Sequence, residues 1–528
     1  MRANPEKWEA VWSANLMIHL PERALGTRIR TIPQAEYASD GCPFFPGRGS
    51  LNSSATPEFQ SRLLAAAPPS AEFGFQGLRA ADSIAVEASL PLSFIVACDW
   101  GLGCESWTSR LRYFAVERPL EKRIVWTHRS IVEAYDGAWG DGLKRHLTSG
   151  EAPRVVVPYR STEFLELLAA ESGGLVSVLA NPLTLKTRLD DKVAFRAEAE
   201  RRGIAVPPGV VAAVGELEEG LLKKWGPRII VNEQIGSSGN QTHLIESAGA
   251  LATLREQLME KSGADSPATV TRFLEGPAIG AASFVFRGRP RMSYPSAMIT
   301  GLPGSSMHRF DYAGSDYGAF LGLPEAARSK IRENTLDIGE WVAGLGYKGL
   351  FGVDYVVHRG EPFALEVNPR LLGTTQLMTE LELNESAAPS TTYWHLAELL
   401  GAGVEADETS AELAQIGASV LTGFQLLLRN TRPRPVRIGR AINPGVYIIE
   451  GEAPRHIRKG HRILDLEGPD EILVTCSPPA EGTVVEPRGA FFKLEGLGGL
   501  LDETAEKVTP HTTRLVESFT AALELTTV

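Results

Sequence analysis

The sequence predicts a multidomain protein of mixed class, α/β in its N-terminal part, α+β in its centre and β-rich in its C-terminal part. The chain has 528 residues, which at roughly 150 residues per folding unit suggests about three or four units. Short β-like runs alternate with longer amphipathic segments after about residue 90, and β-like runs predominate after about residue 400. We therefore expect three regions, 1–180, 181–400 and 401–528.

The composition excludes several classes of protein. Lys and Arg number 53 against 64 Asp and Glu, a formal charge of −11, whereas a nucleic-acid partner requires a basic surface. We see neither an export signal nor an apolar stretch that would cross a membrane. The four cysteines are scattered and form no CxxC pair, so we expect reduced thiols and a cytoplasmic protein without a nucleic-acid or membrane partner.

The N-terminal region is predicted to be a βα, Rossmann-like unit. Strands that alternate with helices favour a parallel sheet. Ser161 is the predicted N-cap of the helix that follows it. The Gly-Leu-Gly at 101–103 is interpreted as a turn, because the third glycine of a nucleotide-binding fingerprint is missing. The predicted strands lie at 93–98, 123–127, 154–158 and 175–179.

The central region contains a glycine-rich loop, residues 235–241, between two predicted strands. A Walker loop instead joins a strand to a helix and ends in Gly-Lys-Ser/Thr, so this loop is of another kind. The neighbouring predictions are helices at about 191–202, 248–261 and 325–344 and strands at 228–234, 242–245, 268–274 and 281–286. In the C-terminal region we expect strands near 419–428, 446–450, 471–476 and 490–494 and a helix at about 512–524.

The most informative segment is a predicted β-hairpin, with strands at 350–357 and 363–370. If its turn is centred on Gly360, Asp354 lies opposite Glu366, and Val356 lies opposite Ala364. Gly352, Asp354, Val356, Ala364, Glu366 and Asn368 then share one face. The other face is continuously apolar and is the predicted core side: Phe351, Val353, Tyr355, Val357, Phe363, Leu365 and Val367.

The polar face of this hairpin suits a divalent cation. Two acids whose Cβ atoms lie about 5 Å apart across neighbouring strands repel each other unless a cation lies between their carboxylates. Asn368 adds an amide, Arg370 follows closely, and oxygen ligands of this kind suit Mg²⁺. The alternative is an exposed sheet face with solvated acids.

These features together resemble the ATP-grasp superfamily. The resemblance rests on the glycine loop between strands, Asp-Tyr-Val-Val at 354–357 and Glu-Val-Asn-Pro-Arg at 366–370, and it spans about residues 180–385. It implies a two-lobed ATP-grasp centre that binds ATP with Mg²⁺, as two ions that Mn²⁺ could replace. It also implies a carboxylate-amine ligase that forms an amide or peptide bond through an acyl phosphate.

Carried over residue by residue, the resemblance implies that Asp354, Glu366 and Asn368 bind Mg²⁺ and that Arg370 and Lys192 are catalytic. For Lys192 a solvated helix lysine is the alternative. Asn232 stands where many members carry a second phosphate-binding lysine, and Thr271 stands where many carry an acid before the adenine hinge. The nucleotide-binding residues that it implies are Lys192, Asn232, Gly236, Ser237, Ser238, Gly239, Arg272, Phe273, Leu274 and Glu275.

The expected substrates are a small-molecule carboxylate and an amine. Two rival hypotheses stay open: a carboxylase of the biotin carboxylase kind, and a non-catalytic ATP-binding regulatory protein. The C-terminal region is expected either to cover the active site or to form a homodimer contact. Candidate substrate residues lie in the segment 295–310, interpreted as a loop, and directly after Arg370: Ser305, Ser306, His308, Arg309, Gly373 and Thr374.

Overall fold

The computed structural model describes residues 56–120, 122–235, 241–385, 388–403, 413–414, 416–417 and 420–528. Within this part of the chain the strands form four sheets. In chain order the strands are β1 (Glu72–Gln76), β2 (Leu92–Ala97), β3 (Arg112–Ala115), β4 (Lys122–Arg123), β5 (Arg154–Pro158), β6 (Val176–Val178), β7 (Gly209–Ala213), β8 (Ile229–Glu233), β9 (Thr242–Ile245), β10 (Pro267–Arg272), β11 (Ala278–Phe286), β12 (Arg289–Thr300), β13 (Tyr312–Asp316), β14 (Gly349–His358), β15 (Glu361–Asn368), β16 (Phe424–Arg429), β17 (Val436–Arg437), β18 (Gly445–Glu450), β19 (Ala453–Arg458), β20 (Ile472–Thr475), β21 (Val484–Val485), β22 (Ala490–Gly496) and β23 (Thr526–Thr527).

Helices flank these sheets. They are α1 (Thr56–Ala66), α2 (Ile84–Glu87), α3 (Cys104–Thr108), α4 (His128–Tyr135), α5 (Ala138–Thr148), α6 (Glu163–Glu171), α7 (Leu183–Leu189), α8 (Lys192–Arg201), α9 (Gly220–Trp225), α10 (Ala248–Ser262), α11 (Glu325–Gly344), α12 (Thr375–Glu385), α13 (Thr391–Leu400) and α14 (Pro510–Ala522).

The N-terminal region forms a parallel sheet of five strands in the order β3-β2-β1-β5-β6. Three of the predicted strands lie in it, and the parallel sheet is confirmed. The predicted strand at 123–127 is wrong beyond its start, since β4 is two residues long and pairs with β21 in another sheet. The cap of α6 is Thr162, whereas the Ser161 hydroxyl donates to the carbonyl oxygen of Asn181.

The central region has two lobes, as predicted. The small lobe is an antiparallel sheet in the order β7-β10-β8-β9. Helix α10 covers one face of this sheet through Leu251, Leu254 and Leu258, which join a core with strand residues such as Val231 and Val270. The side chains of alternate strand residues lie on the opposite, more polar face.

The large lobe is built on an antiparallel sheet of ten strands, in the order β15-β14-β11-β12-β13-β16-β22-β20-β18-β19. β13 pairs with β16, Gly314 opposite Leu426, so the β-rich C-terminal strands extend the central sheet. The prediction of a loop over 295–310 is wrong for its first six residues, which belong to β12. Prolines argue against a strand in a sequence, but Pro295 lies beside an irregularity in the β11–β12 pairing that accommodates it.

A buried arginine connects the N-terminal and C-terminal regions. Arg123 is 1 % exposed, pairs with Glu117 at 3.1 Å and donates to the carbonyl oxygens of Trp100, Ser477, Ala490 and Phe491. Carbonyl oxygens from both regions thereby share one cation. Removing it would leave the buried Glu117 carboxylate without its cation and would take a donor from each of four carbonyl oxygens, which is costly.

Two expectations from composition can be compared with the structure. Cys98, Cys104 and Cys476 are buried free thiols, as expected, and Cys42 lies outside the described residues. Among the helices of the described part, none combines the length and apolar character needed to cross a membrane.

The stability of the large lobe should depend on pH through Glu382. This carboxyl is 5 % exposed and accepts hydrogen bonds from the backbone N–H and the hydroxyl of Thr391. Burial raises its pKa from 4.5 to about 8. The folded state therefore holds a proton that the unfolded state loses, so this contribution is complete below the unfolded pKa and disappears as pH rises through the folded one.

We expect Glu382→Gln, which keeps an acceptor oxygen but does not titrate, to flatten this dependence. From about pH 6 to about pH 9 the wild-type Tm should fall further than the Tm of the variant, measured by calorimetry. The exposed Glu361 on the same lobe, changed to Gln, serves as control and should follow the wild type. Equal falls in Glu382→Gln and the wild type would contradict the assignment.

Candidate active site

The hairpin β14–β15 turns through Arg359 and Gly360. Both have positive φ, 54° and 82°, as a two-residue turn that fits the twist of a hairpin requires. His358 therefore pairs with Glu361, and the turn is centred between two residues rather than on Gly360. The predicted pairing of Val356 with Ala364 is wrong, because Val356 lies opposite Phe363 and Ala364 opposite Tyr355.

A β-bulge restores the register where the acids lie. Leu365 is the extra residue on β15, and beyond it Asp354 pairs with Glu366 and Gly352 with Asn368. The prediction that the two acids face each other is thus confirmed. The bulge also places Leu365 outside the core, 39 % exposed, which corrects its predicted position on the apolar face.

The rest of the predicted core face is buried, except that Ala364 replaces Phe363 on it. Ala364 takes a core position, and Phe363 is half-buried opposite Val356. The residues buried on the core face are Phe351, Val353, Tyr355, Val357, Ala364 and Val367, which pack against α8 and α11.

The two acids share an environment with little solvent. Burial and then the negative charge of Glu366 raise the pKa of Asp354 to about 7. Lys192, the first residue of α8, places its Nζ 2.9 Å from Oε2 of Glu366. This ammonium offsets part of the repulsion between the carboxylates.

Arg370 links the acids to the parallel sheet. Its guanidinium donates to Oδ1 of Asn368 at 2.8 Å and to the Tyr159 hydroxyl at 2.9 Å. Asn368 in turn hydrogen-bonds Asp354, which opposes the rise in the pKa of that acid. Although burial opposes it, the pKa of Arg370 is raised, because Tyr159, Asp190 and the two acids favour its charged form. Tyr159 was missed by sequence reasoning, although its place directly after β5 at the carboxyl edge was a signal.

The acid pair has the donor chemistry of a magnesium site. In the part of the chain that the structure describes, no group of three or more His, Cys, Asp or Glu side chains is placed to hold a metal ion. Two carboxylates with a neighbouring amide still suffice for Mg²⁺, which takes one or two carboxylates and completes its shell with water and phosphate. Gly280 lies opposite Asp354 on β11, and a Cβ there would be 3.8 Å from Oδ1 of Asp354, so backbone without a side chain borders the acid.

The predicted phosphate-binding residues lie around the start of α8 and the end of β8. The backbone N–H of Lys192 donates to Gln234, whose amide donates to the helix cap Asp191. Asn232 accepts a hydrogen bond from the Thr242 hydroxyl at 2.8 Å, and its neutral amide supplies no charge for phosphate. The predicted loop residues Gly236, Ser237, Ser238 and Gly239 lie outside the described residues.

The predicted hinge connects the two lobes. The Phe273 ring lies between the guanidinium groups of Arg228 and Arg309, at 4.7 and 4.9 Å from its centroid. Glu275 is within 3.5 Å of Arg228 and 3.9 Å of Arg309. Arg309, a predicted substrate residue, thus lies at the hinge. Arg272 donates to the carbonyl oxygen of Trp225, and Leu274 is half-buried.

The other predicted substrate residues fall into two groups. Ser305 is fully buried and donates to the carbonyl oxygen of Leu427, and Ser306 and the exposed His308 hydrogen-bond Asp311. Their hydrogen bonds therefore stabilise the loop. After Arg370, by contrast, Gly373 lies where a Cβ would be 4.0 Å from the Tyr159 hydroxyl, and the buried Thr374 follows it.

Comparison with known proteins identifies the central region. Residues 189–374 match the ATP-grasp domain family, so the chain contains an ATP-grasp domain. The fold resembles that of biotin carboxylase from Campylobacter jejuni in its beta-gamma-ATP complex, with a TM-score of 0.52, 15 % identity, and coverage of 81 % of this chain and 87 % of the other. It also resembles the biotin carboxylase domain of 2-oxoglutarate carboxylase from Hydrogenobacter thermophilus, which was solved with MgADP and bicarbonate. Here the TM-score is 0.51, the identity is 14 %, and the match covers 81 % of this chain and 86 % of the other. At this identity the likeness shows a shared fold.

If the facing acids hold a divalent cation, each should be needed to bind it. We expect Asp354→Asn and Glu366→Gln to weaken Mn²⁺ binding in the presence of ADP by about tenfold or more, measured by electron paramagnetic resonance. Each change removes one anionic ligand and relieves the carboxylate repulsion, so the Tm should not fall. Glu361→Gln, on the same strand but exposed, should bind Mn²⁺ normally. Wild-type affinity in either site variant would refute the metal assignment.

Proposed function

We propose that the protein is an ATP-dependent carboxylate-amine ligase that forms an amide or peptide bond through an acyl phosphate. The observation that carries the proposal is the arrangement of the facing carboxylates Asp354 and Glu366 with two partly buried cations, Lys192 and Arg370. This set offers anionic ligands for Mg²⁺ and fixed positive charge for phosphate in one place. The ATP-grasp domain supports the use of ATP.

The chemistry follows from the weakness of a carboxylate as an electrophile. A substrate carboxylate oxygen attacks the γ-phosphorus of ATP, the bond from that phosphorus to the β–γ bridging oxygen breaks, and ADP leaves. The amine nitrogen then attacks the acyl carbon, phosphate leaves with its electron pair, and the nitrogen loses a proton. No covalent bond to the enzyme is needed.

The residues around the acid pair would have separate roles in this reaction. Asp354, Glu366 and Asn368 would hold Mg²⁺, as two ions that Mn²⁺ could replace, and the metal would neutralise phosphate charge. Arg370 would stabilise the charge on the transferred phosphoryl group, and Lys192 would contact phosphate. Asn368 positions Asp354 and Arg370 by hydrogen bonds to both.

A second candidate is a carboxylase that uses bicarbonate as the acid. It is favoured by the fold shared with biotin carboxylases, one of which is described with bicarbonate. The same acid pair and Arg370 would serve both reactions, since bicarbonate is also activated at a carboxylate oxygen. The nature of the acid therefore decides between the two.

We expect ADP release with Mg²⁺ and ATP to be stimulated by one carboxylate together with an amine. The assay compares a panel of amino acids and other carboxylates, with and without amines, and with bicarbonate. Stimulation by bicarbonate alone would favour the carboxylase, and absence of stimulation by every pairing would refute both enzymes in favour of a regulatory ATP-binding protein.

Stimulated release should be lost in Asp354→Asn and in Glu366→Gln, because each removes a negative charge from the acid pair. The matched variant Glu361→Gln should retain wild-type rates, since that carboxylate is exposed near the turn. Near wild-type turnover in either site variant would show that the acid pair is not part of the reaction.

A further inference from the structure

A polar cluster at the carboxyl edge of the parallel sheet carries hydrogen-bonding groups that the fold leaves unused. The strand order reverses between β1 and β5, and in open parallel sheets the crevice at such a point is where ligands bind. Gln76 ends β1, and Tyr159 and Arg160 follow β5, with the Tyr159 N–H donating to the Gln76 carbonyl oxygen at 2.7 Å. His128 stacks on Tyr159, with ring centroids 6.0 Å apart.

His128 holds a proton at a nitrogen that has no acceptor. Burial and then the charges of Arg160, Arg370 and Lys186 keep its pKa well below 6.5, so the imidazole is neutral. Its Nδ1 lies 3.3 Å from the side-chain nitrogen of Gln76. That amide nitrogen can only donate, so Nδ1 accepts and the ring proton lies on Nε2. Nε2 is buried without a hydrogen-bond partner, and His128 is only 8 % exposed.

Arg160 presents a second donor of this kind. Its Nε is also buried without a hydrogen-bond partner. Burial and the nearby Arg370 lower its pKa, although Asp190 and Tyr159 oppose this. Asp190 is itself paired with Lys186 at 2.5 Å. Lys186 thus has Asp190 as its partner and Arg370 also faces Asp354 and Glu366, whereas no carboxylate of the described residues lies at ion-pair distance from Arg160.

What this cluster lacks is an anion that accepts hydrogen bonds. One acceptor, the Gln76 side-chain oxygen, is also buried without a partner and would take a donor from the same ligand. We propose that Arg160 and the Nε2–H of His128 bind the carboxylate of the acid substrate, and that a donor beside that carboxylate contacts Gln76. Arg370, which touches both Tyr159 and Asn368, connects this cluster to the acid pair. The inference rests on the proposed function for the identity of the ligand as substrate.

Binding can be tested without turnover by nuclear magnetic resonance of the full chain labelled at histidine Cε1. The probe is L-alanine, which carries a carboxylate and an ammonium group, and the control probe is L-alaninamide, which lacks the carboxylate. We expect L-alanine to shift the His128 signal saturably at constant ionic strength, and L-alaninamide to leave it in place. No shift with L-alanine, or equal shifts with both, would overturn the proposal.

The variants Arg160→Gln and Arg160→Lys test the role of the guanidinium. Loss of a charge-assisted hydrogen bond should weaken L-alanine binding by about tenfold in the Gln variant, and less in the Lys variant. Arg129→Gln, on the exposed surface of α4, is the matched control and should bind normally. Unchanged L-alanine binding in Arg160→Gln would overturn the proposal. Displacement of L-alanine by inorganic phosphate that binds more tightly would also overturn it, because the site would then bind phosphate rather than a carboxylate.

The substrate assay separates this inference from the proposed function. With an acid that stimulates ADP release, Arg160→Gln should raise KM for the acid about tenfold while KM for ATP stays within about twofold. If acids stimulate turnover but Arg160→Gln leaves KM for the acid unchanged, the carboxylate site at the cluster is refuted and the proposed ligase activity is not. If L-alanine binding depends on Arg160 but no acid stimulates turnover, the carboxylate site at the cluster is supported and the proposed ligase activity is refuted.

Discussion

The repulsion between Asp354 and Glu366 is the constraint on which the rest of the site depends. Two carboxylates facing each other across neighbouring strands are unfavourable unless positive charge compensates them, and here burial raises the pKa of Asp354. Each compensating group comes from a different element. Lys192 begins α8, whose cap Asp191 is held by Gln234 at the end of β8, and Arg370 follows β15 and contacts Tyr159 after β5.

Because of this arrangement, the site joins three parts of the fold, of which the small lobe has its own core while the parallel sheet and the long sheet share one. The small lobe positions Lys192 through Gln234, the long sheet carries the acids, and the parallel sheet supplies Tyr159 and the cluster around His128 and Arg160. The contrast with Arg123 is instructive. That arginine pairs with Glu117 and donates to four carbonyl oxygens, whereas the Nε of Arg160 is buried with neither a hydrogen-bond acceptor nor a carboxylate at ion-pair distance among the described residues. Buried polar groups normally have hydrogen-bond partners, so the buried Nε of Arg160 without an acceptor favours a bound ligand.

Much of the fold could be predicted from local patterns. The strand Thr242–Ile245 and the helices α8 and α11 lie at or within a residue of their predicted bounds, because strand alternation, capping residues and terminating glycines are local signals. β12 was predicted only as a loop, since its prolines are tolerated through an irregular pairing with β11 that no local pattern reveals. Ser305 and Arg309 were predicted as substrate residues by composition, but a distant strand binds the first and the hinge binds the second.

The sequence by itself determined that two acids share one face of a hairpin, since Asp354 and Glu366 lie at positions that alternation and a short turn bring together. It could not determine the strand register that places them opposite each other. The turn through Arg359 and Gly360 shifts the register by one residue, and the bulge at Leu365 shifts it back, so the predicted pairing of the acids is correct although the pairing nearer the turn was not. Only the tertiary structure decided which groups from distant parts of the chain meet beside them, because Lys192 reaches Glu366 and Tyr159 reaches Arg370 through packing between sheets.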